Sequence, residues 1–399
     1  MKKINITAHF IAAFLCVSLF SNSQQVKTIE GIRVIHNEKG GKWGKNPEIS
    51  IKLIRTIGDV NATDENLAFY LPWDIAFDDA GSLYILDSGN HRIQKFSPDA
   101  KYLGTFGRQG QGPAEFLYPE SLDIDSGGYL YVLDQIQNRI QVLKPEGEGD
   151  KSIRIMNYSI NKIRCLKSGL LAAKGAALLP ELENKDKNLL NLIKLLDQKG
   201  NVQKEFADMF DYGDNVTNRH ANTFDFDIDK NGNFYLSFIY QNRIEKYSPD
   251  SKLLWKADRI LNYSTEIQKK GKMERSGSGV SILAPQMNRC SNGIAVDEKG
   301  RVWVVTLSRQ LKKDEIVYTS TGVIRSDRAM TRVRKKVEGN TDLQVTDAYK
   351  LEIFAPDGVL LGEIPLNHFV DGIRIHKDSL FLLDKERGAK YYQYKIVDK

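Results

Sequence analysis

The chain has 399 residues, 27% of them charged and 41% hydrophobic, with 31 glycines and 11 prolines. That balance excludes a disordered or collagen-like chain and supplies enough apolar material for a large core. The formal net charge of +6 falls to +4 without Lys2 and Lys3, which excludes the strong basicity of a dedicated polyanion binder.

Lys2 and Lys3 precede an apolar run over 10–20, then Ser21-Asn22-Ser23. This order predicts a secretory signal peptide over 1–23, cut near Ser23. The run is too short to span a bilayer as a helix. Leu15 stands before Cys16, where lipid modification would want a small residue, so a soluble exported protein is expected in the periplasm, at the cell surface or secreted. No later segment reads as transmembrane. Cys165 and Cys290 then remain, in units that are not neighbours, and both are expected as free thiols with Cys165 buried.

Residues 24–50 are polar, with one apolar stretch at 32–35, and read as a lead-in along the outside of the fold. Residues 51–58 resemble 102–107, the fourth strand of a unit, yet precede any first strand. From 73 onward the chain falls into short apolar runs separated by Asp, Gly, Asn and Pro: 73–77, 83–86, 92–96 and 102–106. Such runs predict an antiparallel meander. The unit recurs, with Asp78 matched by Asp125, a step of 47 residues. A period of that size marks a propeller or solenoid. The second unit is read at 121–124, 129–133, 139–143 and 153–156. The third is degenerate, at 163–166, 170–173, 189–196 and 202–206, with a polar loop at 180–188. The fourth runs 224–228, 234–238, 243–247 and 253–257. The fifth has 293–296, 302–306, 349–354 and 359–364. The sixth has only 373–375, 380–383 and 391–396. The strand at 51–57 can complete it and remove an exposed edge.

The expected fold is therefore all-β: a six-bladed β-propeller of four-stranded antiparallel blades over 51–399, closed by an N-terminal strand. Two insertions interrupt it, 258–289 and 307–348. Over 309–336 nine basic residues, among them Arg325, Arg328, Arg332, Arg334, Lys335 and Lys336, face Asp314, Glu315 and Asp327. Loops this long are usually functional or disordered.

The units resemble NHL repeats. The pattern appears as Asp78, Gly81, Asp87 and Asn90-His91-Arg92-Ile93, and again as Asp125, Gly128, Asp134 and Asn138-Arg139-Ile140. Asp229, Gly232 and Asn242-Arg243-Ile244 continue it, with Ser237 at the second Asp position, and Asp384 and Arg387 keep part of it. The connector 106–113, with Phe116 and Pro119, also matches. The chain is similar to the secreted six-bladed propellers of Bacteroidetes-type bacteria. This resemblance implies the fold and no single activity. Repetition in successive blades marks Asp87 with Arg92, and Asp134 with Arg139, as architecture: pairs across the hairpin between second and third strands.

Alternation along the inner strands predicts which side chains face the channel. Large apolar residues (Phe77, Ile75, Ile124, Leu122, Ile228, Phe226) take one parity and pack between blades. Asp74, Ala76, Ser121, Asp123, Cys165, Asp225, Asp227 and Arg374 take the other. Asp74, Asp123, Asp225 and Asp227 would repel one another without a cation, a base or water, and calcium suits such oxygens. A water-filled acidic channel is the plainer expectation. A ligand site is expected on the face carrying the connectors into the inner strands, near Tyr70, Trp73, Tyr118, Arg219, His220, Arg289 and His368. These aromatic and arginine residues suit a protein, peptide or glycan partner. The resemblance also carries an alternative, a lyase or lactonase with calcium or zinc in the channel, and the basic insertion a second, a scaffold in an envelope complex. No nucleophile elbow, Cys-His pair or phosphate loop is present, so no catalytic residue is assigned. Nucleic acid is not expected as a partner, and the protein is expected to be a monomer.

Overall fold

The computed structural model describes residues 24–44, 46–156, 158–176, 191–276, 279–324 and 332–399. The expected signal peptide and the polar loop 180–188 lie outside the described residues. Six four-stranded antiparallel sheets stand around a central axis as propeller blades. Blade 1 comprises Pro72–Phe77, Leu83–Asp87, Arg92–Phe96 and Tyr102–Phe106. Blade 2 comprises Pro119–Ile124, Leu130–Asp134, Arg139–Leu143 and Gly149–Arg154. Blade 3 comprises Ser159–Cys165, Leu171–Ala176, Asn191–Leu196 and Val202–Asp208. Blade 4 comprises Phe224–Ile228, Phe234–Phe238, Ile244–Tyr247 and Leu253–Arg259. Blade 5 comprises Ser291–Val296, Val302–Leu307, Tyr349–Phe354 and Leu360–Pro365. Blade 6 comprises Gly372–His376, Ser379–Asp384, Lys390–Asp398 and, from the start of the chain, Ile49–Ile57.

Ring closure rests on antiparallel pairing of Ile49–Ile57 with Lys390–Asp398, Ile51 opposite Ile396. The likeness between 51–58 and 102–107 is physical as well. Gly58 and Gly107 both follow a fourth strand with φ near +85° and +83°. A Cβ on Gly58 would stand 2.1 Å from the Phe69 ring, and one on Gly107 2.3 Å from the Phe116 ring. Each glycine turns the chain under a buried phenylalanine that opens the next connector. Gly58→Ala is expected to cost about 2–4 kcal/mol, from left-handed strain plus the ring collision. Urea denaturation against wild type checks this.

Between blades the large parity packs face to face. Phe206, Phe224, Phe226, Phe234 and Phe238 form one such layer, and Trp303 with Val305, Leu351 and Ile373 another. Each phenylalanine so buried contributes roughly 1.5–3 kcal/mol by area removed from water. The Asp that follows the inner strand in blades 1, 2 and 4 fixes the following turn. Asp78 Oδ1 accepts the Ser82 N–H at 2.8 Å, Asp125 the Tyr129 N–H at 3.0 Å and Asp229 the Asn233 N–H at 2.9 Å. The Asp ending the second strand ties down the incoming connector. Asp87 accepts the Tyr70 N–H at 2.8 Å and pairs with Arg92 Nε at 2.8 Å. Asp134 accepts the N–H groups of Leu117 and Tyr118, both at 2.9 Å. Arg139, expected to pair with Asp134, instead donates to the carbonyls of Gly112 and Glu115, and Gln137 meets the carboxylate at 2.6 Å.

Three expectations need correction. The lead-in does not merely lie along the ring. Gln25–Ile29 and Ile32–Asn37 form a hairpin whose second strand adds parallel to Leu253–Arg259, widening blade 4 to six strands. In blade 3 the channel parity falls one residue earlier than expected. Leu166 occupies the turn position of the repeated Asp, its N–H bonded to the Leu170 carbonyl, so the channel parity falls on residue 164 and not on Cys165. Lys162 and Arg164 therefore face the channel and Cys165 packs among Tyr131, Ile163 and Leu171. A one-residue slip exchanges the two faces of a strand. Both cysteines are unpaired, but Cys290 is the buried one and Cys165 is half-buried.

Candidate functional site in the channel mouth

The register of the inner strands sorts the channel into layers. Ala76, Asp123, Arg164, Asp227, Ala295 and Arg374 stand opposite Tyr84, Tyr131, Ala172, Tyr235, Trp303 and Phe381 of the second strands, and form one layer. Asp74, Ser121, Lys162, Asp225, Gly293 and Gly372 form the next, nearer the connectors.

The four aspartates do converge on the axis, but bases meet them there. Arg164 grips Asp74 with both amino groups, at 3.0 and 3.4 Å. Lys162 Nζ donates to Asp225 at 2.6 Å. Arg374 bridges Asp123 and Asp227, each at 3.0 Å. The carboxylates also accept backbone N–H groups of the next blade: Leu122 on Asp74, Cys165 on Asp123 and Val296 on Asp227. Burial works to raise the Asp74 carboxyl, but Arg164, Lys162 and Arg374 outweigh it and hold it below the usual range. Asp123 moves the other way, because burial outweighs its contact with Arg374. The picture of a calcium held by these acids is thereby corrected. Fixed cations, of which only Arg374 was foreseen, do the work an ion would do. Among the described residues no group of three or more His, Cys, Asp and Glu is placed to hold a metal.

Above these layers the alternation breaks. The inner strands of blades 1, 2, 3 and 5 each carry a bulge, between Pro72 and Asp74, Pro119 and Ser121, Ile160 and Lys162, and Ser291 and Gly293. A bulge places one extra residue and re-aims its side chain. The extra residues are Trp73, Glu120, Asn161 and Asn292, and all four line a cavity of about 350 Å³ at the connector end of the channel. Lys174, Arg289, Asp371 and Lys385 complete its polar wall.

The basic insertion reaches this mouth. Its strands Val317–Ile324 and Arg332–Gly339 pair as a hairpin. The hairpin extends from blade 5 to blade 1, where the Tyr70 hydroxyl donates to the Lys335 carbonyl at 3.0 Å and Lys335 Nζ donates to Ser88 Oγ at 3.1 Å. Lys335 Nζ stands 4.1 Å from the Tyr118 ring centre and 5.3 Å from that of Trp73. Lys385 Nζ stands 3.9 Å from the Trp73 centre. The two aromatic rings thus seat ammonium groups instead of offering bare faces. Elsewhere on the insertion, Arg309 is neutralised by Glu315 and Asp347, and Lys336 by Glu338.

The expected connector-face residues separate accordingly. Trp73 and Arg289 line the cavity, and Tyr118 and Tyr70 hold Lys335 at its rim. Arg219 and His220 lie to one side on the short helix Asn215–Ala221, where His220 packs on Tyr240. His368 is not a mouth residue. It is buried, with Nδ1 on the Phe369 carbonyl at 3.0 Å and Nε2 on the Tyr394 hydroxyl at 2.9 Å, and burial lowers its pKa. Its spacing from the inner strand matched that of His220, but the loop before blade 6 packs into the core where the loop before blade 4 forms a helix.

Charge in the mouth is concentrated and largely buried. Burial lowers the Lys174 ammonium to about 8, against the pull of Asp225 and with the push of Lys162. Burial likewise lowers Lys335 to about 8, although Glu120 opposes it. Burial raises Glu120 to about 7 in spite of Lys335, Lys174 and Lys385. A carboxyl raised on folding adds stability below its unfolded pKa, here near 4.5, and that stability is lost as pH climbs through about 7. Glu120→Gln is therefore expected to be more stable than wild type at pH about 8, by roughly 1–3 kcal/mol, with the gap closing toward pH about 4.5. Chemical denaturation at the two pH values checks the sign.

An NHL repeat is recognised over residues 69–96, which spans blade 1 through its third strand. No curated protein matches the chain in sequence. Among solved structures, a member of the DUF4221 family from Bacteroides vulgatus superposes with a TM-score of 0.56 at 11% identity, covering 88% of this chain and 99% of that one. A putative exported protein from Bacteroides fragilis superposes with a TM-score of 0.51 at 11% identity, covering 92% and 99% respectively. At this identity the likeness is one of fold. Among the described residues no helix is long and apolar enough to cross a membrane.

Proposed function

We propose that this propeller is an exported binding module, and that its ligand, a glycan or peptide, enters the channel mouth on the connector face. The observation that carries this reading is the cavity of about 350 Å³ into which the bulges of blades 1, 2, 3 and 5 turn Trp73, Glu120, Asn161 and Asn292. Bulges next to a cleft re-aim side chains at some cost in strand pairing, and a polar concavity at the centre of a rigid ring is a common place for a ligand. Export is supported by the signal-peptide pattern of residues 1–23 and by the fold shared with the putative exported protein from Bacteroides fragilis. No reaction is assigned, since the four channel aspartates are held in ion pairs.

The test is a glycan and peptide array followed by titration of the hits. Arg289→Ala and Asn161→Ala are expected to weaken binding about tenfold or more, and Leu103→Ala, on the exposed outer strand of blade 1, to leave it unchanged. Binding that survives both mouth variants and fails in Leu103→Ala would overturn the proposal.

A further inference from the structure

The mouth holds more positive charge than its own acids answer. Of the charges lining the cavity, Asp74 is gripped by Arg164, Asp225 by Lys162, and Arg374 is committed to Asp123 and Asp227. What remains is Lys174, Arg289, Lys385 and, at the rim, Lys335, answered within the lining by Glu120 and Asp371 and, for Lys335, from behind by the more distant Asp87 and Asp134. Asp371 is partly spent on the Lys385 backbone N–H, at 2.9 Å. Lys174 makes no hydrogen bond to a described residue, and its Nζ stands 5.4 Å from the Phe224 ring centre. Lys335 and Lys385 are held by aromatic faces, which attract a cation without consuming its donors as a carboxylate would. A buried ammonium is costly unless an acceptor is supplied, and the supply within the chain falls short.

We infer that the ligand of the mouth carries a carboxylate, received by Lys174 and Lys385 with Arg289 and Lys335 beside them. This rests on the reading of the mouth as a binding site and narrows the ligand to an acidic sugar or a peptide with a free carboxylate. Charge-assisted hydrogen bonds in a low-dielectric cavity favour the anion over its neutral analogue. Asn161, whose Oδ1 has no partner among the described residues, is left to meet a hydroxyl or amide group of the rest of the ligand.

The experiment is calorimetric titration of the full chain with galacturonate and with N-acetyl-dialanine, each beside its neutral counterpart, methyl galacturonate and the dipeptide amide. At least one acid is expected to bind about tenfold or more tightly than its neutral form. Whichever does so identifies the source as sugar or peptide. The Lys174→Met, Lys385→Met double variant is expected to bring the two forms within about twofold, and Lys174→Gln, with circular dichroism as the folding check, to do so in part. The inference is overturned if neither acid binds, or if the neutral forms bind as well. Neutral ligands that bind and lose affinity in Arg289→Ala would leave the binding reading standing while sinking this one.

Discussion

Replacing Arg164 by methionine is expected to cost about 3–5 kcal/mol, because it strands a carboxylate at the centre of the ring. The Arg164 side chain is 4% exposed and that of Asp74 is 13% exposed. Its guanidinium meets Asp74 of blade 1, the Leu122 carbonyl of blade 2 and its own Ile163 carbonyl at 2.8 Å. Asp74 in turn holds Ser121 Oγ at 2.9 Å and the Leu122 N–H at 3.2 Å. Three blades are thus joined by one ion pair, and methionine fills the volume without answering the charge. The effect has a pH signature. The cations around Asp74 hold its carboxyl below the ordinary value of 3.8, so its contribution is present above that pH and is lost as pH falls through the lower folded value. The gap between wild type and variant should be largest near neutrality and narrow in acid. Adding Asp74→Asn should recover part of the loss, since the orphaned charge is gone. Urea denaturation of the single and double variants at pH about 7 and about 2.5 reads all three expectations. A loss unchanged with pH would place the role of Arg164 in packing alone.

Deleting residues 24–58 is expected to abolish the cooperative fold. The deletion removes Ile49–Ile57, so the Lys390–Asp398 edge of blade 6 loses its partner, and it removes the hairpin that covers the outer edge of blade 4. It also removes Ile57, buried against Phe69 and Tyr391 in the layer between blades 6 and 1, and Gly58 beneath Phe69. An open ring presents an unpaired strand edge, which recruits other chains. Size-exclusion chromatography with thermal melting should show aggregate in place of a monomeric transition. A soluble protein with a melting temperature within about 5 °C of wild type would show that closure rests on the inner strands.

The fold was legible because its signals are local. Alternating apolar runs mark the strands, and the Asp of each turn acts within four residues of itself, as Asp125 does on Tyr129. The borrowed strand could be read because residues 51–58 repeat the end of a unit, down to the glycine whose conformation the next phenylalanine requires. Where local marks fade, in blade 3, the register was misread by one residue, and Cys165 was placed where Arg164 stands.

The site was legible only in part, for a different reason. The inner-strand aspartates were found by alternation, yet alternation is silent about charges on other strands. Lys174, on the second strand of blade 3, and Lys385, after that of blade 6, reach the mouth only through tertiary placement. Bulges suspend the two-residue period at the end of the strand that matters most. Pro72 and Pro119, one residue before Trp73 and Glu120, were the available sign, since proline in a strand marks its start or a bulge. No pattern in 307–348 announces that Lys335 folds back across the ring onto Tyr118. A closed ring of six blades and the aspartates that point at its axis follow from the order of residues alone, because strands, turns and their period are written within a few residues. That Arg164, Lys162 and Arg374 neutralise those aspartates, and that Glu120, Lys174, Lys335 and Lys385 share the mouth, emerges when the blades come together, because such charges meet across blades whose distance along the chain says nothing of their distance in space.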